Sequence, residues 1–184
     1  TMSYLDFVDL EYRPGDDELI ALYRVEPAKG FSIEEAAGRI ASESSVGTWT
    51  EVTTMTDFVM GIRARAFEIK GRYVKIAYKP ILFEPGNMPQ ILSAIAGNVF
   101  GMKAVRSLRL EDVYWPREIV ESFPGPLYGI KGVRDILKIR DRPITATVPK
   151  PKVGLSPDEY AKAAYEIWVG GVDLVKDDEN NTSM

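Results

Sequence analysis

The chain has 184 residues, 45% hydrophobic and 27% charged, a composition that suits one soluble globular domain, or one domain plus a piece of another. Its net charge of −4 argues against a nucleic-acid protein, which needs a basic face, and no apolar run approaches the roughly 20 residues of a membrane helix. With neither Cys nor His, disulfides and thiolate metal sites are excluded, acid–base chemistry falls to Lys, Asp, Glu or Tyr, and any metal must accept oxygen ligands, as magnesium, calcium and manganese do.

In chain order, residues 17–25 (DELIALYRV) read as a strand. Ser32 opens a helix, with Glu35 three positions on completing a capping box and Ile33, Ala36, Ala37, Ile40 and Ala41 on one face. Residues 55–69 and 72–83 alternate as paired strands, with Lys70-Gly71-Arg72 at the turn. Asn87 caps a second helix, with Gln90 at the third helical position and Ile91, Leu92 and Ile95 on its apolar face; a strand follows over 102–110. This order predicts an α+β domain, helices on an antiparallel sheet, over residues 2–123.

Pro116 begins a short helical stretch, and Pro124-Gly125-Pro126 ends it. Residues 124–143 read as a linker with a short helix at 131–139. The pattern then changes. Residues 144–149 (ITATVP) suit a buried parallel strand, and Ser156, with Pro157 next and Glu159 three on, is a strong helix start. Gly170-Gly171 stops that helix before a last strand at 172–175 (VDLV). Strand, helix and strand make one βαβ unit, which cannot bury its own faces, so residues 144–184 are expected to begin an incomplete α/β barrel.

Two segments carry the chemistry. Lys150-Pro151-Lys152 ends the first of these strands, and Lys176-Asp177-Asp178-Glu179 ends the second. Alternation puts Lys150 with Lys152 and Lys176 with Asp178, and active sites of α/β barrels lie at the C-terminal strand ends. Each motif alone has a plain alternative. The acidic run alone is a solvated turn, Lys-Pro-Lys an exposed loop, Gly47-Thr48-Trp49 a turn with a packed indole, Asn98 a helix C-cap and Glu43 a surface charge. Tyr160, Tyr165, Ile167 and Trp168 read as packing of the barrel helix, and Arg63, Arg65 and Arg72 as a solvated strand face.

The segments TVPKPKVGLS (147–156) and GGVDLVKDDEN (170–180), preceded by ESSVGTWT (43–50) and GNVFGMKAVRSLRLED (97–112), resemble the large chain of ribulose-1,5-bisphosphate carboxylase/oxygenase, Rubisco. The resemblance spans nearly the whole chain, and Pro149 makes it more like archaeal, form III-like chains than plant ones. It implies a ferredoxin-like N-terminal domain followed by the first βαβ unit of a truncated TIM barrel. It implies Mg2+ held by Lys176, as a carbamate made with carbon dioxide, and by Asp178 and Glu179. Lys176 and Lys150 would be catalytic, and Lys152, Glu43, Thr48, Trp49 and Asn98 would contact substrate. Activity would be carboxylation of ribulose bisphosphate to two phosphoglycerates, with an oxygenase side reaction, in cytoplasmic AMP or nucleotide-ribose salvage. A site shared between subunits implies a homodimer or larger homo-oligomer, with no nucleic acid or membrane partner. This length alone is expected to be inactive. The alternatives are a Rubisco-like enolase or isomerase, and a non-catalytic folding or dimerisation piece whose uncovered apolar faces favour association.

Overall fold

In a computed structural model of the chain, residues 3–47 and 54–181 are described. The chain divides into two units, Thr1–Pro124 and Gly125–Met184. Among the described residues no helix is long and apolar enough to cross a membrane.

The first unit is built on strands β1 (Leu19–Pro27), β2 (Arg65–Lys70), β3 (Tyr73–Tyr78) and β4 (Val105–Tyr114), in the sheet order β2-β3-β1-β4. All three pairings are antiparallel. In β1 the residues Leu19, Ala21, Tyr23 and Val25 are fully buried, the period-two pattern of a strand with one face on a core. Helices α1 (Ile33–Glu43) and α3 (Met88–Ile95) supply the other side of that core through Ala36, Ala37, Ile40, Ala41, Ile91 and Ile95. Ser32 accepts from the Glu35 amide while the Glu35 carboxylate accepts from the Ser32 amide, so two of the first-turn donors of α1 are satisfied reciprocally. Lys70 pairs with Tyr73 across a two-residue turn in which Gly71 takes a φ of 60°, a conformation that a side chain disfavours.

A line of hydroxyls ties the layers together. Tyr23 donates to the Ile95 carbonyl at 2.5 Å and lies 3.2 Å from the Tyr78 hydroxyl, which is 2.9 Å from Ser44 Oγ. Ser44 in turn donates to the Ile40 carbonyl at 2.6 Å. Burial pushes the Tyr78 phenol up to about 12, so these groups stay neutral donors and acceptors.

Several expectations need correction. Residues 55–69 are not one strand. Thr56 accepts from the Val59 amide and caps a short helix, α2 (Asp57–Ile62), before β2 begins at Arg65. Phe58, Met60 and Ile62 alternate by chance of composition, and the Thr-Asp start was the stronger signal. Leu92 is 43% exposed, because the buried stripe of α3 runs through Ile91 and Ile95 alone. Arg63 and Arg65 do not form a solvated strand face. Arg63 donates to the Asp6 and Met60 carbonyls, and the Arg65 guanidinium stands 4.6 Å over the Tyr12 ring. A short helix, α4 (Arg117–Glu121), follows Pro116 as expected.

The second unit holds α5 (Gly129–Leu137), β5 (Ala146–Thr147), α6 (Pro157–Val169) and β6 (Leu174–Val175). The expected strands at 144–149 and 172–175 are each two residues long, since each has only the other to pair with. They are parallel, Ala146 beside Leu174 and Thr147 beside Val175. Ser156 and Glu159 form the expected capping box on α6, and Gly171, at φ 95°, follows its last turn. Only Ala164 of α6 is buried. Tyr165 and Trp168 are 62% and 54% exposed, so they do not pack as a barrel helix would here.

Candidate active site

The parallel register of β5 and β6 determines which side chains meet. Beyond the last pair, Thr147 and Val175, the ladder continues with the Lys176 amide donating to the Thr147 carbonyl at 3.0 Å. Lys150 and Asp178 each lie three residues past that pair, and their side chains meet, Nζ to Oδ2, at 2.5 Å. Lys176 Nζ turns instead to Glu179 Oε1 at 2.6 Å and to the Asp177 carbonyl at 2.8 Å. The sequence placed Lys176 with Asp178; in the structure the lysines pair one step apart, Lys150 with Asp178 and Lys176 with Glu179. Strand alternation does not extend into the irregular turn after Val175, which explains the difference.

Electrostatics follow from these contacts. The hydrogen bond from Lys150, helped by its charge and that of Lys152, holds the Asp178 carboxyl below the usual carboxylate range. The Lys176 ammonium does the same for Glu179. Both acids are therefore anions at neutral pH, each paired with a lysine ammonium. Lys152 is exposed at the same strand end.

Among the described residues no three His, Cys, Asp or Glu side chains gather as a metal cage. The donor set nevertheless fits a hard cation under one condition. Asp178 and Glu179 supply carboxylate oxygens, and the resemblance noted above implies a third ligand made from Lys176, whose Nζ already touches Glu179. A carbamate there would convert that cation into an anionic oxygen ligand and give an all-oxygen triad within four residues.

The other end of the strand pair is locked. Arg142 forms a bidentate ion pair with Asp173, both distances 2.7 Å, and Asp173 Oδ2 also accepts from the amide and hydroxyl of Thr145. The Asp173 amide returns a bond to Thr145 Oγ1. Residues 145 and 173 stand one step before the first strand pair, so this clamp fixes the register that brings Lys150 to Asp178. The sequence reading missed it, although an Asp opening one strand opposite a Thr opening the other was a usable signal. Arg142 and Thr145 hold the Asp173 carboxyl far below its ordinary value. A carboxyl depressed on folding adds stability above its unfolded pKa, about 4, and that stability fades as pH falls through the depressed folded value. Asp173→Asn is therefore expected to lower the thermal midpoint of residues 125–184 at pH 7, with the difference from the parent shrinking steadily as pH drops below about 4. A set of circular-dichroism melts checks this, and a difference that grew with acid would contradict it.

In the first unit, Glu43, the last residue of α1, and Asn98, the first of the 3-10 turn Asn98–Gly101, come together. Asn98 Nδ2 donates to Glu43 Oε1 over a long 3.4 Å. Two residues 55 positions apart thus share one spot on this unit. Asn98 is not the cap of α3, which ends on Ala96. Thr48 and Trp49 lie outside the described residues.

A sheet backed by helices, followed by a parallel pair with lysines and acids at its C-terminal end, is the beginning of an α/β enzyme built behind an N-terminal α+β domain. Residues 6–119 match the model of the N-terminal domain of the ribulose bisphosphate carboxylase large chain, and residues 129–184 match that of its catalytic domain. The chain belongs to the Rubisco large-chain family. It is 57% identical to a ribulose bisphosphate carboxylase of Pyrococcus furiosus over 98% of its own length and 44% of that protein's. Identity is 50% to the one of Archaeoglobus fulgidus, again over 98% of this chain and 42% of that protein. Among solved structures, an octameric Rubisco from Pyrococcus horikoshii superposes on all of this chain and 44% of its own, with a TM-score of 0.86 and 55% identity. A dimeric archaeal Rubisco from Hyperthermus butylicus superposes with a TM-score of 0.83 and 55% identity, over 96% of this chain and 42% of its own. The chain thus spans under half the length of the relatives it matches.

Proposed function

We propose that this chain supplies the N-terminal domain and the metal-ligand corner of a ribulose-bisphosphate carboxylase, a lyase that joins carbon dioxide to ribulose 1,5-bisphosphate and yields two 3-phosphoglycerates, with an oxygenase side reaction. The observation that carries the reading is the register of β5 and β6, which gathers Lys150, Lys176, Asp178 and Glu179 at one C-terminal strand end. Lys176, once free of a proton, forms a bond from Nζ to the carbon of CO2 and releases a second proton, leaving a carbamate. Asp178 and Glu179, both anionic, would hold Mg2+ with it. A bound Mg2+ supplies Lewis-acid polarisation of a substrate carbonyl. With Asp178 serving as a metal ligand, the Lys150 ammonium that it now holds would be free to hold or move a proton at the substrate carbons. Lys152, on the same strand end, adds positive charge against an anionic substrate.

In this reading Glu43, Thr48, Trp49 and Asn98 contact substrate, and the meeting of Glu43 with Asn98 at 3.4 Å supports a common role for those two. The dimeric and octameric relatives support a homo-oligomer, and the family resemblance implies that the site is shared between its subunits. In this reading, as the resemblance to archaeal forms implies, the activity serves AMP and nucleotide-ribose salvage in the cytoplasm, with which a cysteine-free composition is consistent.

A chimera tests the proposal. This chain replaces the matching first 44% of the Pyrococcus furiosus relative, and incorporation of labelled CO2 into acid-stable product is measured with ribulose bisphosphate. The chimera is expected to turn over and the 184-residue chain alone to show none. A folded, metal-loaded chimera without carboxylation would contradict the reading.

A further inference from the structure

Glu43 and Asn98 meet over a bond too weak to hold them. It is 3.4 Å long and exposed to solvent, where water competes for both groups. The scaffold beneath must therefore set the distance between the end of α1, which carries Glu43, and the 3-10 turn that carries Asn98. The buried hydroxyl line of the first unit runs between those same two places. At one end Tyr23 donates to the carbonyl of Ile95, the last residue of α3 and three positions before Asn98. At the other end stands Ser44, the residue after Glu43 and the C-cap of α1. Tyr78, fully buried, lies between them, 3.2 Å from the Tyr23 hydroxyl and 2.9 Å from Ser44 Oγ.

The step from Ile95 to Asn98 is short and tight. A Cβ on Gly97 would collide with the Ser93 carbonyl oxygen, so the chain turns there with room for glycine alone, and the buried Val99 seats the turn on the core. Where the Ile95 carbonyl is held, Asn98 is held with it. Apolar packing of α1 and α3 on the sheet is non-directional, whereas a buried hydroxyl bond fixes both distance and direction.

Satisfying buried polar groups does not account for the Tyr78 hydroxyl. Tyr23 has the Ile95 carbonyl and Ser44 has the Ile40 carbonyl, so each keeps a partner without Tyr78. A Phe at 78 would orphan neither of them, and such a replacement is nearly neutral for stability. What it would remove is the link between the two helix ends.

We propose that Tyr78 is a positioning residue for Glu43 and Asn98, its hydroxyl joining the end of α1, through Ser44, to the end of α3, through Tyr23. This rests on the reading of Glu43 and Asn98 as substrate contacts given above.

The test uses the chimera with the Pyrococcus furiosus relative and ribulose bisphosphate as substrate, in four variants: Tyr78→Phe, Ser44→Ala, Asn98→Ala, and Tyr78→Phe combined with Asn98→Ala. Tyr78→Phe keeps the ring and its contact with Phe83, centroids 5.9 Å apart, so the thermal midpoint is expected to stay close to the parent's. Its kcat/KM is expected to fall about 10-fold, in the range that a misplacement of about 1 Å produces. Ser44→Ala breaks the same link and is expected to match it; if Tyr78→Phe does not fold, Ser44→Ala carries the test alone. In the Asn98→Ala background the loss caused by Tyr78→Phe is expected to shrink, because part of it acts through Asn98. Parent-like kcat/KM in Tyr78→Phe, a loss that tracks a fallen midpoint, or an undiminished loss in the Asn98→Ala background would overturn the role of Tyr78 and leave the substrate contacts standing. Parent-like kcat/KM in Asn98→Ala would overturn the contact itself, and the role of Tyr78 with it.

Discussion

Lys176→Ala will abolish CO2-dependent Mg2+ binding while leaving the fold of both units unchanged. The side chain is 56% exposed and its hydrogen bonds among the described residues go to Glu179 and the neighbouring Asp177 carbonyl, so its loss leaves no buried cavity. A surface ion pair of this kind contributes only about 0–1 kcal/mol, which limits the structural cost. The metal cost is of another order. With no cluster of three acidic side chains among the described residues, removal of the lysine leaves Asp178 and Glu179 as the ligands in this reading, for an ion that demands near-octahedral coordination. The loss should exceed the about 10–100-fold that follows from removing an outer-shell group. Calorimetry with and without bicarbonate reads it directly. Equal Mg2+ affinity in the variant and the parent, or an affinity in the parent indifferent to CO2, would show that Lys176 is not a ligand precursor.

The second large effect concerns the scaffold. Ile40 is fully buried in the middle of α1, packed on the sheet, and its carbonyl accepts both the amide and the hydroxyl of Ser44. Truncating a buried Ile to Ala costs about 2–5 kcal/mol, from lost transfer energy and the cavity left behind. Against a domain stability of about 5–15 kcal/mol that is a large fraction. Ile40→Ala is therefore expected to lower the thermal midpoint of the first unit by roughly 10–20 °C. It should also loosen the end of α1, where Glu43 meets Asn98, so amide exchange at 40–44 will rise before exchange in β1 does. A midpoint shift of a degree or two would mean that α1 is not part of the cooperative core.

The parts of this molecule that were legible in the sequence are those specified locally. The boxes Ser32–Glu35 and Ser156–Glu159 begin α1 and α6 as read, because side chain and backbone satisfy each other within four residues. The Gly71 turn and the Asn87 cap were legible for the same reason. Where two local signals competed, the periodic one misled: Phe58, Met60 and Ile62 alternate like a strand, yet Thr56 caps a helix there. The site shows the same division. That lysines and acids converge at the strand ends could be read from the parallel pattern. Which lysine takes which acid could not, since it depends on a three-residue offset beyond the last strand pair. The Arg142–Asp173–Thr145 clamp sets that offset from the far end of the strands, across 28 positions of chain.

A crystal structure of the chain grown with Mg2+ and bicarbonate tests the central claim most directly. The account predicts that Lys176 bears a carbamate, that Asp178 has left Lys150 and Glu179 has left the Lys176 ammonium, and that all three close on one cation. Lys176 unmodified and still paired with Glu179, beside an intact Lys150–Asp178 pair at saturating Mg2+ and CO2, would contradict it.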